Sequence, residues 1–404
     1  SSESDAIGDL VKAVKEQYRA IPGDGIGYGL LRHIRRDDAL IAGEAGHPAA
    51  LAFNYLGQND HAIEAGESLF AIADETAGHN VAATRERRHL LSLRGMIADG
   101  CLQLTLEYST DRHDAATIAA MAANIERALE DVVAHCAQRQ SIEHTPSDFP
   151  LATVTQAQLD DWQTRHADIR ALYPATPMQL GLYFHGQLEP GAYISQTYPV
   201  LGGRLDTRRF REAWQALVDR HDVFRTAFVG EGERLHQLVV ARAELPWHEE
   251  DLRHLDPIER ETRFEVHRLQ DLARGFDFQR APLMRIALFR LDEDRYRLLW
   301  THHHMLSDGW SLPILYAEAM RLYRAAIAGE DADLPPAPRY ERYVAWLARQ
   351  DRAAAGRFWQ DELHAIEAPT PLAIDRLPAD GHRGPRELAL TLDAATSDRL
   401  SALA

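Results

Sequence analysis

Two apolar stretches late in the chain are separated by a short polar turn, and this pattern predicts a β-hairpin. Residues 283–291 and 296–301 carry the apolar side chains, and the acidic residues 292–294 separate them. Three consecutive histidines, at 302–304, follow the second stretch. From Trp310 onward, apolar residues recur every three or four positions, which predicts a helix. The histidines therefore lie on a predicted strand-to-helix loop, a common position for functional residues.

The first 139 residues combine helix and strand patterns. Apolar residues at helical spacing in 1–21 and 115–139 predict two amphipathic helices, and Asp114 is the expected N-cap of the second. Residues 89–97 and 101–108 predict a second hairpin. Helices mixed with half-buried strands are typical of layered α/β structures. We therefore predict an α/β fold, with one sandwich lobe here and another around the histidines.

Composition and charge narrow the classes of function. A chain of 404 residues suits two or three domain-sized units. The formal net charge is −17, from 44 Lys and Arg against 61 Asp and Glu, so no nucleic-acid partner is expected. No apolar run approaches the roughly 20 residues of a membrane-spanning helix, so no membrane partner is expected. Only Cys101 and Cys136 occur, which fits a reducing cytoplasm.

Three kinds of site compete for the histidine loop. A metal site needs ligands on one face, but adjacent strand residues point to opposite faces, so we predict no metal. A solvated polar loop with hydrogen-bonded histidines is the simplest alternative. An acyl-transfer site would use one imidazole to accept a proton from a nucleophile. Asp308 would then organise the loop, and Gly309 would let the chain turn tightly into the helix.

Residues 303–309 read HHMLSDG and match the HHxxxDG signature of nonribosomal peptide synthetase condensation domains. Residues 173–181 and 220–228 resemble two further motifs of this family. The resemblance implies a chloramphenicol acetyltransferase-like fold and amide-bond formation between aminoacyl or peptidyl thioesters. It also implies that peptidyl carrier protein domains deliver both thioesters on phosphopantetheine arms, and that the chain itself binds no cofactor directly.

The resemblance implies a role for each residue of the catalytic loop. His304 would act as a general base or would position the attacking amine, and the sequence leaves both roles open. His303 would be structural and would face away from the substrate tunnel. Asp308 would be a scaffold residue held by a salt bridge. Arg220 is the first choice for its partner and Arg225 is the second.

The beginning of the chain resembles another type of synthetase domain. Residues 14–29 and residues 53–58, which read FNYLGQ, resemble signatures of epimerization domains. The resemblance implies that Asn54 and Tyr55 line an active site, and a strand packed against the core is the alternative. An epimerization domain before a condensation domain further implies a D-configured donor and an L-configured acceptor.

These resemblances predict four parts of the chain. Residues 1–139 would be the C-terminal lobe of an epimerization-type domain, and 140–170 would be a linker that lies along the surface. Residues 171–346 would form the N-terminal lobe of a condensation domain. Residues 347–404 would be the truncated start of its C-terminal lobe. Adjoining synthetase domains are therefore expected partners, and the chain alone is expected to be nearly inactive.

Two other functions remain open. A standalone acyltransferase of the chloramphenicol acetyltransferase type would use the same histidine on a soluble acceptor, but the epimerization-like beginning argues against it. A non-catalytic fragment would only dock carrier proteins. The intact His304 and Asp308 argue against that role for the parent protein.

Overall fold

Residues 1–347 and residues 348–404 form two units, and each is described by itself. The structure is a computed structural model. It describes residues 3–46, 49–58, 87–98, 100–139, 142–166, 168–189, 191–366, 368 and 388–403.

Side-chain caps define where several helices begin. Asp114 accepts a hydrogen bond from the backbone N–H of Thr117, so the predicted N-cap is confirmed. Thr155 and Thr176 each begin a helix with a reciprocal capping box. The helices are α1 (Glu3–Arg19), α2 (Ile26–Gly29), α3 (Asp38–Gly46), α4 (Ala115–Gln138), α5 (Gln156–Arg165), α6 (Pro177–Leu188), α7 (Thr207–Arg220), α8 (Pro257–Arg274), α9 (Ser311–Ala328), α10 (Tyr340–Ala348), α11 (Arg352–Leu363) and α12 (Ala394–Ser401).

The strands of the described residues are β1 (Leu51–Gln58), β2 (Leu91–Ala98), β3 (Cys101–Glu107), β4 (Ile169–Pro174), β5 (Ile194–Thr197), β6 (Val200–Gly202), β7 (Thr226–Val229), β8 (His236–Val240), β9 (Trp247–Asp251), β10 (Met284–Asp292) and β11 (Arg295–His303). They form three sheets, in the orders β1-β2-β3, β5-β11-β10-β9 and β4-β8-β7, and β6 also pairs with β11. Both predicted hairpins are confirmed, because β2 pairs with β3 and β10 pairs with β11 in antiparallel register.

The sheet that carries the histidines is covered on both faces. Successive residues of β10 alternate between two buried clusters, as the pleat of a strand requires. Ile286 and Leu288 pack with residues of α7 and α9, whereas Ala287 and Phe289 pack with Phe264 of α8. Helices on both faces of a mixed sheet make this a layered α/β structure, so the predicted fold class is confirmed.

Residues 142–165 pack against the rest of the first unit. Leu159 and Trp162 of α5 are buried in a cluster with Ile169 of β4 and Leu238 of β8. The segment lies within the predicted linker, residues 140–170, and its apolar face is part of a small core. The capping box defines where α5 begins, and the burial of Trp162 holds this helix against the sheet.

Ion pairs also join this segment to α1. Asp148 accepts from Lys15 at 2.6 Å and from Arg19 at 2.5 Å. Lys12 contacts Asp160 at 2.9 Å. Burial alone would raise the pKa of Asp148, but hydrogen bonds from Lys15, the Thr145 backbone and Arg19 bring it far below its usual value. The carboxylate is therefore charged at neutral pH.

The second unit contributes helices α11 and α12 to the described residues. Asp351 caps α11 by accepting from the backbone N–H of Ala354, and Asp393 caps α12 by accepting from that of Thr396. Large apolar side chains of this unit, including Phe358 and Trp359, are exposed.

Candidate functional site

The histidine loop continues the pairing of β11 on both sides before it turns. The backbone N–H of His303 donates to the carbonyl of Leu283, and that of His304 donates to the carbonyl of Tyr193 at 2.9 Å. The N–H of Leu306 then donates to the carbonyl of His303, which closes a turn. The backbone at the histidines is therefore as constrained as that of the strand before it.

The three histidine side chains alternate as strand residues do, which is the alternation the sequence predicted. His302 and His303 are each 1% exposed, and His304 is exposed. The ring of His302 lies 4.4 Å from that of Trp300, and His303 meets Phe278 edge-on at 5.0 Å. Of the three, only His304 is accessible to solvent.

A serine on the neighbouring strand holds the exposed imidazole. Nε2 of His304 lies 2.8 Å from Oγ of Ser195 in β5. A hydroxyl can donate or accept, so this contact is compatible with either tautomer of the ring. Two residues before this serine, Tyr193 has a left-handed backbone with φ of 62°. Strained backbone of this kind is often found at functional sites, and here its carbonyl accepts the N–H of His304.

Burial keeps the other two histidines neutral. Burial, with a smaller contribution from nearby His304, lowers the pKa of His302 to about 4 and that of His303 to about 4. Nδ1 of His303 lies 3.2 Å from the backbone nitrogen of Met305 and accepts its hydrogen bond. Because Nδ1 must carry no proton to accept this bond, His303 holds the loop only as a neutral imidazole.

The predicted salt bridge of Asp308 is wrong. Asp308 is exposed, and its carboxylate accepts from the backbone N–H and the hydroxyl of Ser311, at 2.9 and 2.7 Å. Hydrogen bonds from Ser311, the side-chain bond first, lower the pKa of Asp308. Asp308 therefore organises the first turn of α9, and no arginine takes part in that interaction among the described residues.

The two candidate arginines have other partners. Arg220 is 3.0 Å from Glu318 of α9 and also donates to the carbonyl of Pro335. Arg225 is buried, pairs with Asp222 at 2.6 Å and donates to the carbonyl of Val240 at 2.6 Å. Helices α7 and α9 lie side by side, and this packing brings Arg220 to Glu318, two turns into α9. The arginine motif therefore supports the helix behind the loop, and not the loop aspartate.

Gly309 has no conformational reason to be glycine in this structure. Its φ is not positive, and a Cβ built on it would meet no atom within 4 Å. The chain does turn tightly into α9 here, since the backbone N–H of Ser311 donates to the carbonyl of Asp308 at 3.1 Å, but this turn does not require a glycine. The open space beside its backbone is instead available to a ligand that approaches closely.

Gln179 is a site residue that the sequence analysis missed. Its amide group donates to the carbonyl of Met305 at 3.2 Å and to the side chain of Gln237 at 2.9 Å. The side-chain oxygen of Gln179 accepts from the backbone N–H of Thr176 in the capping box of α6. The spacing of Thr176 and Gln179 signals the helix cap. It carries no information about the contact with the loop.

Asn54 and Tyr55 lie on β1, far along the chain from the histidines. Both are exposed, and Tyr55 has half of its surface accessible. A Cβ added to Gly95 of β2 would come within 3.3 Å of the Tyr55 ring, so this glycine makes room for the tyrosine. Both side chains are thus presented to solvent rather than packed into a core.

Comparison with known proteins identifies the class. The Condensation domain family matches residues 1–153 and 169–404, which is nearly the whole chain. The chain therefore belongs to the condensation-domain family. Condensation domains are amide-forming enzymes of nonribosomal peptide synthetases. None of the helices in the described part of the chain is long and apolar enough to span a membrane.

Two curated relatives are large proteins of the linear gramicidin synthase of Brevibacillus parabrevis. The chain is 39% identical to one of them over 404 residues and 37% identical to the other over 405 residues. Each match covers 98% of this chain but only 5% and 8%, respectively, of those proteins. Among solved structures, the first condensation domain of the calcium-dependent antibiotic synthetase is 21% identical, with a TM-score of 0.45 over 51% of each chain.

Proposed function

We propose that the chain forms amide bonds between two carrier-bound thioesters, with His304 at the reacting centre. The observation that carries this proposal is the contrast among three adjacent histidines. Two are buried and neutral, whereas the third is exposed and held by Ser195 at 2.8 Å. A site that fixes one reactive imidazole on a rigid strand end fits acyl transfer better than a solvated loop does.

The proposed reaction needs one proton acceptor and one leaving group. The amine of the acceptor attacks the thioester carbonyl of the donor, and the C–S bond breaks as the C–N bond forms. The amine loses a proton, and the thiolate of the donor's phosphopantetheine arm leaves. His304 either accepts this proton or holds the amine in an attack geometry, since an amine is already a fair nucleophile. The chain needs no bound cofactor for either role.

Features around His304 suit such reactants. Tyr193 and Trp310 are large aromatic side chains that stay exposed, Tyr193 just before β5 and Trp310 just before α9. The space beside Gly309 lies on the same loop. Exposed apolar surface with one fixed polar group is typical of a binding site for a mostly apolar substrate arm. Peptidyl carrier protein domains and adjoining synthetase domains are the proposed partners.

We further propose the domain organisation that the sequence motifs imply. Residues 1–139 would belong to an epimerization-type domain with Asn54 and Tyr55 at its site, and 171–346 to the condensation domain that follows. The family matches residues 1–153 and 169–404 separately, and the interruption falls inside the proposed linker, 140–170. This arrangement leads to a D-configured donor and an L-configured acceptor.

The test is an amide-formation assay with the chain in its native polypeptide and with both carriers loaded. We expect His304→Ala to remove most product, and a D-configured donor to react faster than its L-epimer. His254→Ala is the matched control, because this exposed histidine lies just beyond β9 and is not part of the loop. Product formation that survives His304→Ala would refute the catalytic role. Equal rates for the two epimers would refute the stereochemical assignment alone.

A further inference from the structure

A second group of histidines converges on one point, away from the loop. His248 and Glu250 lie two residues apart on the edge strand β9, so their side chains share one face of the sheet. His267 of α8 packs over that face. One ligand atom from each of the three residues lies within 4.8 Å of the other two. Among the described residues, no other group of three His, Cys, Asp or Glu side chains brings its ligand atoms this close together.

We propose that His248, Glu250 and His267 form a binding site for a divalent transition metal, with Zn²⁺ as its best-matched ion. Two imidazoles and one carboxylate are a typical zinc ligand set that leaves a fourth position to water. Zinc ligands at about 2.0–2.1 Å from the metal are about 3.3 Å from each other in a tetrahedron. Nε2 of His248 and Oε2 of Glu250 are already 3.3 Å apart.

The surroundings hold the three groups close together. Arg263 donates to Oε1 of Glu250 at 2.7 Å, which orients the carboxylate and leaves Oε2 directed at His248. The two imidazoles stack with 4.6 Å between their centroids, so the rings must rotate for both lone pairs to face one ion, and Phe289 packs edge-on against His267 at 5.1 Å.

Metal binding here would fasten α8 to an edge strand. β9 pairs with β10 on one side only, and α8 covers its face. A metal bound by two residues of the strand and one of the helix would add a link to the ion pair that already joins Arg263 of α8 to Glu250 of β9. The expected consequence is a higher melting temperature with zinc, because the ion binds the folded chain.

The experiment is a competition titration of the purified chain with Zn²⁺ and a chromogenic zinc indicator at pH 7. We expect one equivalent to bind tightly, and His248→Ala, Glu250→Gln and His267→Ala each to weaken binding at least tenfold. Loss of an outer partner of a metal ligand alone typically costs that much. Zinc should raise the melting temperature of the parent chain and not that of these variants.

Two matched controls separate this site from other histidines. His254→Ala removes an exposed histidine just beyond β9, and His304→Ala removes the exposed histidine of the loop. Both should bind zinc as the parent chain does. Circular dichroism without metal checks that each variant folds. Zinc binding that is unchanged in the His248→Ala/His267→Ala double variant, or lost in His304→Ala, would overturn the proposal, as would the absence of saturation at one equivalent.

Discussion

Lowering the pH from 7 to 5 should destabilise the first unit through its two buried loop histidines. His302 and His303 each have a pKa of about 4 in the folded chain. In the unfolded chain their pKa is about 6.5. Between these two values the unfolded chain binds protons that the folded chain does not, so stability falls as the pH decreases. The loss begins near pH 6.5 and is complete below pH 4.

The size of the effect follows from the two pKa values. Each histidine should cost about 2 kcal/mol of unfolding free energy between pH 7 and pH 5, and about 3 kcal/mol once the pH falls below 4. Both rings are almost completely buried, so solvent does not screen the effect appreciably. Protonation of His303 at Nδ1 would also remove the hydrogen bond from the backbone N–H of Met305, which adds to the free-energy cost of protonating this ring in the folded chain.

The assay is urea unfolding, followed by circular dichroism, in steps from pH 7 to pH 5. The parent chain is compared with a His302→Met/His303→Met variant, which keeps apolar bulk at both positions. Other buried groups with lowered pKa, such as His236, titrate equally in both proteins and cancel in the comparison. The parent should lose about 4 kcal/mol more than the variant. Equal pH dependence in the two proteins would refute the assignment of neutral buried rings.

Three substitutions test other parts of the site. Asp308→Ala should lower stability by about 1 kcal/mol in a thermal melt, because it removes a cap-like interaction with Ser311, and a loss above about 3 kcal/mol would instead indicate a buried ion pair. Gly309→Ala should melt like the parent but slow amide formation, and full activity would show that no ligand uses the space beside this backbone. Ser195→Ala should lower kcat about tenfold and shift the pH dependence of kcat, with no change in stability and with partial rescue by Ser195→Thr. An unchanged pH dependence of kcat would mean that Ser195 does not position His304.

Local physical chemistry determined the features that could be predicted from the sequence. Hairpins follow from apolar alternation and polar turns, as in β10 and β11. The cap at Asp114 follows from the preference of short polar side chains for helix N-termini. The opposite orientations of His303 and His304 follow from the pleat of a strand. Each of these depends on residues close together in the sequence.

Long-range pairing was not predictable in the same way. Asp308 satisfies its charge within three residues, at Ser311, so it does not need the distant Arg220. That arginine meets Glu318 only because two helices pack side by side, and spacing in the sequence does not encode their register. Gln179 was missed for the same reason, since its contact with Met305 joins residues 126 positions apart.

The charged contacts between α1 and residues 142–165 bear on where synthetases can be recombined. Lys12, Lys15 and Arg19 come from one side of residue 140, and Asp148 and Asp160 come from the other. In a chimera joined at residue 140, Asp148 and Asp160 would lose the lysines and the arginine that pair with them. The replacement segment would have to supply positively charged side chains at the same positions of its own first helix. A crossover placed before α1 keeps both halves of this electrostatic match in one inherited block.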